Sequence, residues 1–222
     1  MGYGVRILVQ GPRACFTRPE MKAERVSYDV ITPSAARGLM QAIYWKPAIQ
    51  WHVDRIKVLN EIRFETFRRN EVGSKIGEGV AAAAMKRGKP IGLAASQDRQ
   101  QRETVLLRDV AYIIDYHFTM TDRAGETDTP EKHYNIALRR LRKGQCFTQP
   151  CLGCREFPAF VLLVEDGSEP SSFYDGTGDR DLGWMLYDLD YSDPYHPKPM
   201  FFRARMSGGV IDVAFQAREV VS

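Results

Sequence analysis

Thr32-Pro33-Ser34-Ala35-Ala36-Arg37-Gly38-Leu39-Met40-Gln41-Ala42-Ile43-Tyr44-Trp45-Lys46-Pro47 reads as one short helix set between two prolines, with strand-like sequence on either side. Thr32 is an N-cap residue, and Pro33 suits the first helical position, where a missing N–H leaves no bond unmade. Ala35, Ala36, Leu39, Met40 and Ile43 recur at helical spacing and form an apolar stripe. Arg37, Gln41 and Tyr44 fall at i, i+4 and i+7 on a second, polar face, so Tyr44 is expected to point toward solvent or a ligand. Tyr44, Trp45 and Lys46 put a phenol, a stacking ring and a cation at one helix end, a combination that suits a nucleic-acid strand.

Before this helix, Tyr3, Val5, Ile7 and Val9 alternate with Gly4, Arg6 and Leu8, a first strand that Gly11-Pro12 is expected to end. A loop through Arg18-Pro19 and Lys22 leads back to the helix. After it, Trp51 to Phe64 reads as a second strand and Thr104 to Met120 as a long buried third. Thr129 and Pro130 open a second helix that runs to Arg142 and stops at Gly144, with Tyr134, Ala137, Leu138 and Leu141 as its apolar face. His133, in its first turn, is expected to be solvated. Phe157 to Val164 is a fourth strand.

The resulting order, β-α-β-β-α-β, predicts an α+β, ferredoxin-like (RRM-like) domain over residues 1–165. Residues 166–222 are expected to add a small antiparallel β-sheet from Trp184–Leu189, Phe201–Met206 and Val210–Phe215, with turns at Asp193-Pro194 and Gly208-Gly209. Between the second and third strands, Lys75 to Gln101 is poor in large apolar residues and reads as a long, mobile insertion with a short helix in Val80 to Lys86.

The 222 residues are 44% hydrophobic and 27% charged, the balance of a globular chain. No apolar run approaches the roughly 18 residues of a membrane span, and the N-terminus lacks a signal-peptide pattern, so a cytoplasmic location is expected. The net charge of +3 is unevenly spread: residues 46–108 hold 13 Lys or Arg against 7 Asp or Glu, whereas residues 165–195 hold 9 acids and one arginine. The basic part would attract a polyanion and the acidic part repel one. Arg37, Lys46, Arg68, Arg69, Lys75 and Arg108 are the candidate RNA contacts. RNA-recognition modules carry an aromatic signature that this chain lacks, so RNA binding would fall to the first helix and the basic loops.

Cys146, Cys151 and Cys154 lie close in sequence, but a zinc site needs four ligands and usually a second close pair. Reduced cysteines are expected, with no metal and no cofactor. The acids of 165–195 are spread over loops and do not read as a metal nuclease, and no phosphate-binding or nucleophile-elbow motif occurs. RNA, by contrast, can be cut by its own 2′-OH when one group takes the hydroxyl proton, one protonates the leaving oxygen and one offsets the phosphorane charge. Histidine, tyrosine and lysine suit those tasks. His52 and His196 read as packing and surface-loop residues, while His117 stands beside Tyr116 at a strand end.

Several phrases together resemble the CRISPR-associated Cas-five family, Dvulg subtype, of type I-C systems. They are Thr32-Pro33-Ser34-Ala35-Ala36-Arg37-Gly38 running into Tyr44-Trp45-Lys46-Pro47, then Arg68-Arg69-Asn70-Glu71-Val72, Gln101-Arg102 to Asp109-Val110-Ala111-Tyr112-Ile113, and Leu152-Gly153-Cys154-Arg155-Glu156-Phe157-Pro158. The resemblance implies a RAMP-superfamily endoribonuclease. Such a protein cuts the repeat hairpin of precursor CRISPR RNA without metal, leaving a 5′-OH and a 2′,3′-cyclic phosphate, and stays as a subunit of the type I-C surveillance complex. It also implies a tyrosine, lysine and histidine in the active site. The tyrosine matches Tyr44, and the pair falls on Tyr116 and His117, with tyrosine in place of lysine. The alternative expectation is a non-catalytic subunit of that complex that binds RNA and duplex DNA.

Overall fold

The computed structural model of the chain describes residues 3–21, 23–165, 170–193 and 195–221. The elements run in the order β1 (Gly4–Ala14), β2 (Arg25–Val26), α1 (Pro33–Ile43), β3 (Ile49–Val58), β4 (Phe64–Val72), α2 (Glu78–Arg87), β5 (Arg99–Met120), α3 (Pro130–Arg142), β6 (Phe160–Leu163), β7 (Arg180–Asp190), β8 (Lys198–Met206), β9 (Val210–Asp212) and α4 (Val213–Gln216). Among the described residues, seven strands make one mostly antiparallel sheet in the order β6-β1-β5-β3-β9, with β2 and β4 also paired to β5. The fold is mixed α/β with few helices. The boundary expected after residue 165 abuts residues 166–169, and Pro194 of the expected Asp193-Pro194 turn and Lys22 of the first loop likewise lie outside the described residues.

Both helices that build the site begin as their sequences require. Thr32 Oγ1 accepts from Ala35 N at 3.2 Å, and Thr129 Oγ1 accepts from Lys132 N at 3.3 Å, each ahead of a proline in the first turn. α1 buries Ala36, Leu39, Met40 and Ile43. α3 buries His133, Ala137 and Leu141, which recur at i, i+4 and i+8 and face the sheet.

Alternation along the central strands assigns side chains to two faces. Val5, Ile7 and Val9 of β1 pair with Tyr116, Ile114 and Tyr112 of β5, all buried on the helix side. Arg6, Asp115 and His117 take the other face. There Arg6 and Arg55 both bond Asp115, at 2.5 and 2.8 Å, and hold its carboxyl below the usual range against the opposing effect of burial.

Four expectations are corrected. β1 does not stop at Gly11-Pro12 but continues to Ala14. Pro12, which has no N–H to give, falls where the ladder skips a pair opposite Asp109, whose φ is 51°. The expected second strand, Trp51 to Phe64, ends at Val58 as β3, and a further strand that was not expected, β4, follows from Phe64 to Val72. Paired with β5 from Phe64↔Leu107 to Val72↔Arg99, β4 builds a two-stranded arm with the expected short helix of the insertion, α2, near its tip. Its sequence hid it because both faces are exposed, leaving no apolar alternation to read. The C-terminal strands do not form a sheet of their own throughout. β7 and β8 pair with each other, but β9 joins β3 of the main sheet after a turn in which Gly208 and Gly209 both have positive φ, and the chain from Val213 to Gln216 is helix. Finally, His133 is not solvated: it is 2% exposed.

The loop after α3 is seated by Gly153. Its φ is +84°, and a Cβ there would lie 2.0 Å from the carbonyl oxygen of Cys15. We expect Gly153→Ala to cost about 2 kcal/mol or more, read as a fall in Tm of roughly 4–8 °C by calorimetry.

Candidate active site

Tyr44 does not point where its helical phase predicts. It is the C-cap of α1, with φ −150° and ψ 121°, so the backbone has already turned extended and carries the ring off the polar face. The side chain is 2% exposed. Trp51 Nε1 donates to the Tyr44 carbonyl at 2.8 Å and holds this exit in place. The Arg140 guanidinium lies 5.3 Å above the phenol ring and donates to Ile43 O at 2.6 Å.

The phenolic oxygen reaches the first turn of α3, 2.7 Å from His133 Nδ1. His133 Nε2 in turn lies 3.3 Å from Asp128 Oδ1, at ion-pair distance but without good hydrogen-bond alignment. Asp128 also takes Lys132 Nζ at 3.0 Å and Gly125 N at 3.1 Å. The Lys132 bond is the main reason the Asp128 carboxyl titrates below its ordinary value. An ionised Asp128 can only accept, so the ring proton of neutral His133 belongs on Nε2. Nδ1 then accepts, and Tyr44 O–H donates to it.

Burial lowers the pKa of His133, with Lys132 and Lys46 adding to the shift and Asp128 opposing it. Burial also raises the pKa of Tyr44, partly offset by Arg140. At neutral pH the pair is therefore a protonated phenol on a neutral imidazole, backed by a carboxylate and rimmed by two lysines. Such a chain can draw a proton inward: an acceptor role for the phenolic oxygen becomes possible as its own proton moves to His133.

The other expected catalytic residues lie elsewhere. Tyr116 is 1% exposed, donates its O–H to Ala36 O at 2.8 Å, and has its pKa driven well up by burial. It is an element of the core beneath α1. His117, its neighbour on the strand, projects to the opposite face. There its Nδ1 is 2.7 Å from Asp54 Oδ1 and its ring stacks on His52 at 4.8 Å. The sheet separates His117 from Tyr44, so the two do not form one site. Sequence reasoning passed over His133, although its spacing with Ala137 and Leu141 was the signal that it faces inward.

Of the expected RNA contacts, Lys46 is exposed and adjoins the site. Arg37 is committed to Asp188 of β7 through both guanidinium nitrogens, one of them at 2.8 Å. Arg68 pairs with Glu103 and Arg69 with Glu156 along the arm. Lys75 is exposed beyond β4, and exposed Arg108 has Asp109 at 3.8 Å. Among the described residues, no three His, Cys, Asp or Glu side chains converge as a metal-ion site.

A groove of about 750 Å³ crosses the outer face of α1 beside Tyr44, lined by Gly38, Ala42, Trp45, Lys46, Arg140 and Phe147 among others. It continues past Gly38, Ala42 and Thr148 into a second hollow of about 510 Å³ that ends at Arg155.

Residues 4–214 match the family described as CRISPR-associated protein (Cas_Cas5), under the heading Cas_Cas5d. The chain belongs to the Cas5d family. It is 52% identical to the "CRISPR pre-crRNA endoribonuclease Cas5d" of Mannheimia succiniciproducens, with 99% of each chain covered. It is 40% identical to the protein of the same name from Thermus thermophilus, covering 94% of this chain and 90% of that one. A solved structure titled "Crystal Structure of CRISPR-associated Protein" superposes with a TM-score of 0.71 at 27% identity, covering 99% of this chain and 96% of the other.

Proposed function

We propose that this chain is an endoribonuclease that cuts precursor CRISPR RNA within the repeat, at the base of its hairpin, and stays as a subunit of the type I-C surveillance complex. Membership of the Cas5d family, with relatives of that named activity along the whole chain, supports the substrate. The observation that carries the mechanism is the 2.7 Å contact between Tyr44 and His133, backed by Asp128 and flanked by Lys132. Lys132 and His133 supply, beside Tyr44, the lysine and histidine that the family resemblance calls for.

The 2′-OH of the nucleotide before the cut gives its proton to the Tyr44 oxygen while Tyr44 passes its own to His133 Nδ1. The 2′ oxygen attacks phosphorus, the P–O5′ bond breaks, and the 5′ oxygen takes a proton from water. The products are a 2′,3′-cyclic phosphate and a 5′-OH. No phenolate forms, which suits a phenol whose pKa is raised. Asp128 steadies the imidazolium, and the Lys132 ammonium offsets the charge on the phosphorane. Tyr44 and His133 are each 2% exposed, so the phosphate enters over the first turn of α3, where Lys132 and Asp128 make the rim.

The strand order β6-β1-β5-β3, antiparallel throughout with α1 and α3 on one face, supports reading residues 1–165 as the ferredoxin-like frame of a RAMP protein and 166–222 as its extension. The same burial of Tyr44 and His133 favours a second reading, a non-catalytic subunit that holds RNA at the groove and duplex DNA along the arm. Incubation with the cognate repeat RNA decides between them. Cleavage undiminished in EDTA, abolished by a 2′-deoxy substitution at the cut, and leaving cyclic-phosphate ends supports the nuclease. Tight, salt-sensitive binding without cleavage supports the second reading.

A further inference from the structure

We infer that Trp45 and Phe147 form a clamp for one unpaired RNA base, seated over Gly38 and Ala42 of α1 next to the phosphate that Tyr44 addresses. The inference rests on the nuclease reading for the identity of the RNA, but its own evidence is separate. Trp45 is 52% exposed and Phe147 81%, although both rings line the same groove. Neither ring reaches its position through core packing. Trp45 comes directly after the C-cap of α1, whose peptide N–H is bonded to Met40 O at 2.8 Å. Phe147 is presented by two backbone bonds, from its own N–H and that of Thr148, to the carbonyl of Ala42 at 2.8 and 3.1 Å. The loop is thus stapled to the helix while its largest apolar side chain is left facing water.

The floor between the rings is small and open. Gly38 has nothing within 4 Å of where a Cβ would stand, so a flat ring can approach the helix backbone closely. The charges favour a polyanion over a protein of mixed charge: the groove and its continuation are lined by Lys46, Arg140 and Arg155 and by no described acidic residue. Arg140 both lines the groove and covers the Tyr44 ring, so one side chain joins the groove to the candidate catalytic phenol. Gln41, also on the wall, offers an amide to a base edge. Aromatic rings flanked by cations are the arrangement on which unpaired bases stack, regardless of sequence.

The test is a cycle between protein and RNA variants. Repeat RNAs carrying single abasic sites through the unpaired positions on both sides of the cut are measured for affinity and single-turnover cleavage, with the unchanged chain and with Trp45→Ala and Phe147→Ala. One abasic position is expected to weaken binding to the unchanged chain by about 10-fold, on the scale of one lost base stack. The same abasic site is expected to have almost no further effect in either variant, and Trp45→Phe should retain most of the affinity. Abasic effects of equal size in all three proteins overturn the clamp, as do variants that bind and cut like the unchanged chain. Loss of affinity for a purified neighbouring subunit without abasic coupling also overturns it, and marks the rings as a protein contact. Because coupling is read in binding, a chain that binds but does not cut still tests the clamp. A chain that cuts without coupling leaves the nuclease reading standing.

Discussion

His133→Ala is expected to slow cleavage of the cognate repeat by about 100-fold or more, the scale of losing a proton-transfer group, while His117→Ala changes the rate by no more than about 3-fold. The contrast arises from the sheet. His133 Nδ1 is the direct partner of the Tyr44 phenol, whereas His117 faces away from it, engaged with Asp54 and stacked on His52. Removing His133 also leaves a buried phenol without its acceptor, a cost of about 1–3 kcal/mol that lowers Tm. Repeat-RNA affinity measured beside the rate separates the two effects, because a folded variant that binds normally and cuts slowly has lost chemistry alone. A His117→Ala protein that loses 100-fold, with His133→Ala near normal, would put the site on the other face of the sheet.

Tyr44→Phe is expected to reduce cleavage by a similar factor with much less change in stability. The ring, its Arg140 contact and the helix exit survive, and only the oxygen is removed. The pH profile carries an independent signature. Burial holds the folded-state pKa of His133 below the ordinary 6.5 and that of Tyr44 above 10. The unchanged enzyme should therefore hold a plateau through neutral pH, lose activity only when acid protonates Nδ1 below 6.5, and show no phenolate limb until above 10. Stability has the same sign at the acid end. The unfolded chain takes up the histidine proton first, so folding weakens as pH drops through 6.5 and stops weakening once the folded histidine is protonated too. An activity limb centred above 6.5 would argue against His133 as the acceptor.

Much of the frame was legible because it rests on local chemistry. Thr32-Pro33 and Thr129-Pro130 announce helix starts, and the apolar spacing of Leu39, Met40 and Ile43 or of Ala137 and Leu141 announces the faces that pack. The alternation of Val5, Ile7 and Val9 marks a half-buried strand by the same logic. β4 stayed hidden because a strand exposed on both faces has no pattern to show, and its pairing depends on a partner some 35 residues away. β9 was misplaced because three residues cannot state which sheet edge they will join.

The sequence alone determined that this chain is a globular protein of helices packed on strands, with Tyr44 at a helix end beside an aromatic ring and a cation. Tertiary structure decided what Tyr44 meets. A single residue of extended backbone at the helix exit turned the phenol inward, and strand alternation sent Tyr116 and His117 to opposite faces. The packing of α3 against the sheet then brought His133 across 89 residues to within 2.7 Å of the phenol. Helical phase predicts a direction only while the backbone remains helical, and no local rule specifies a contact that two separately folded segments make by packing on a common sheet.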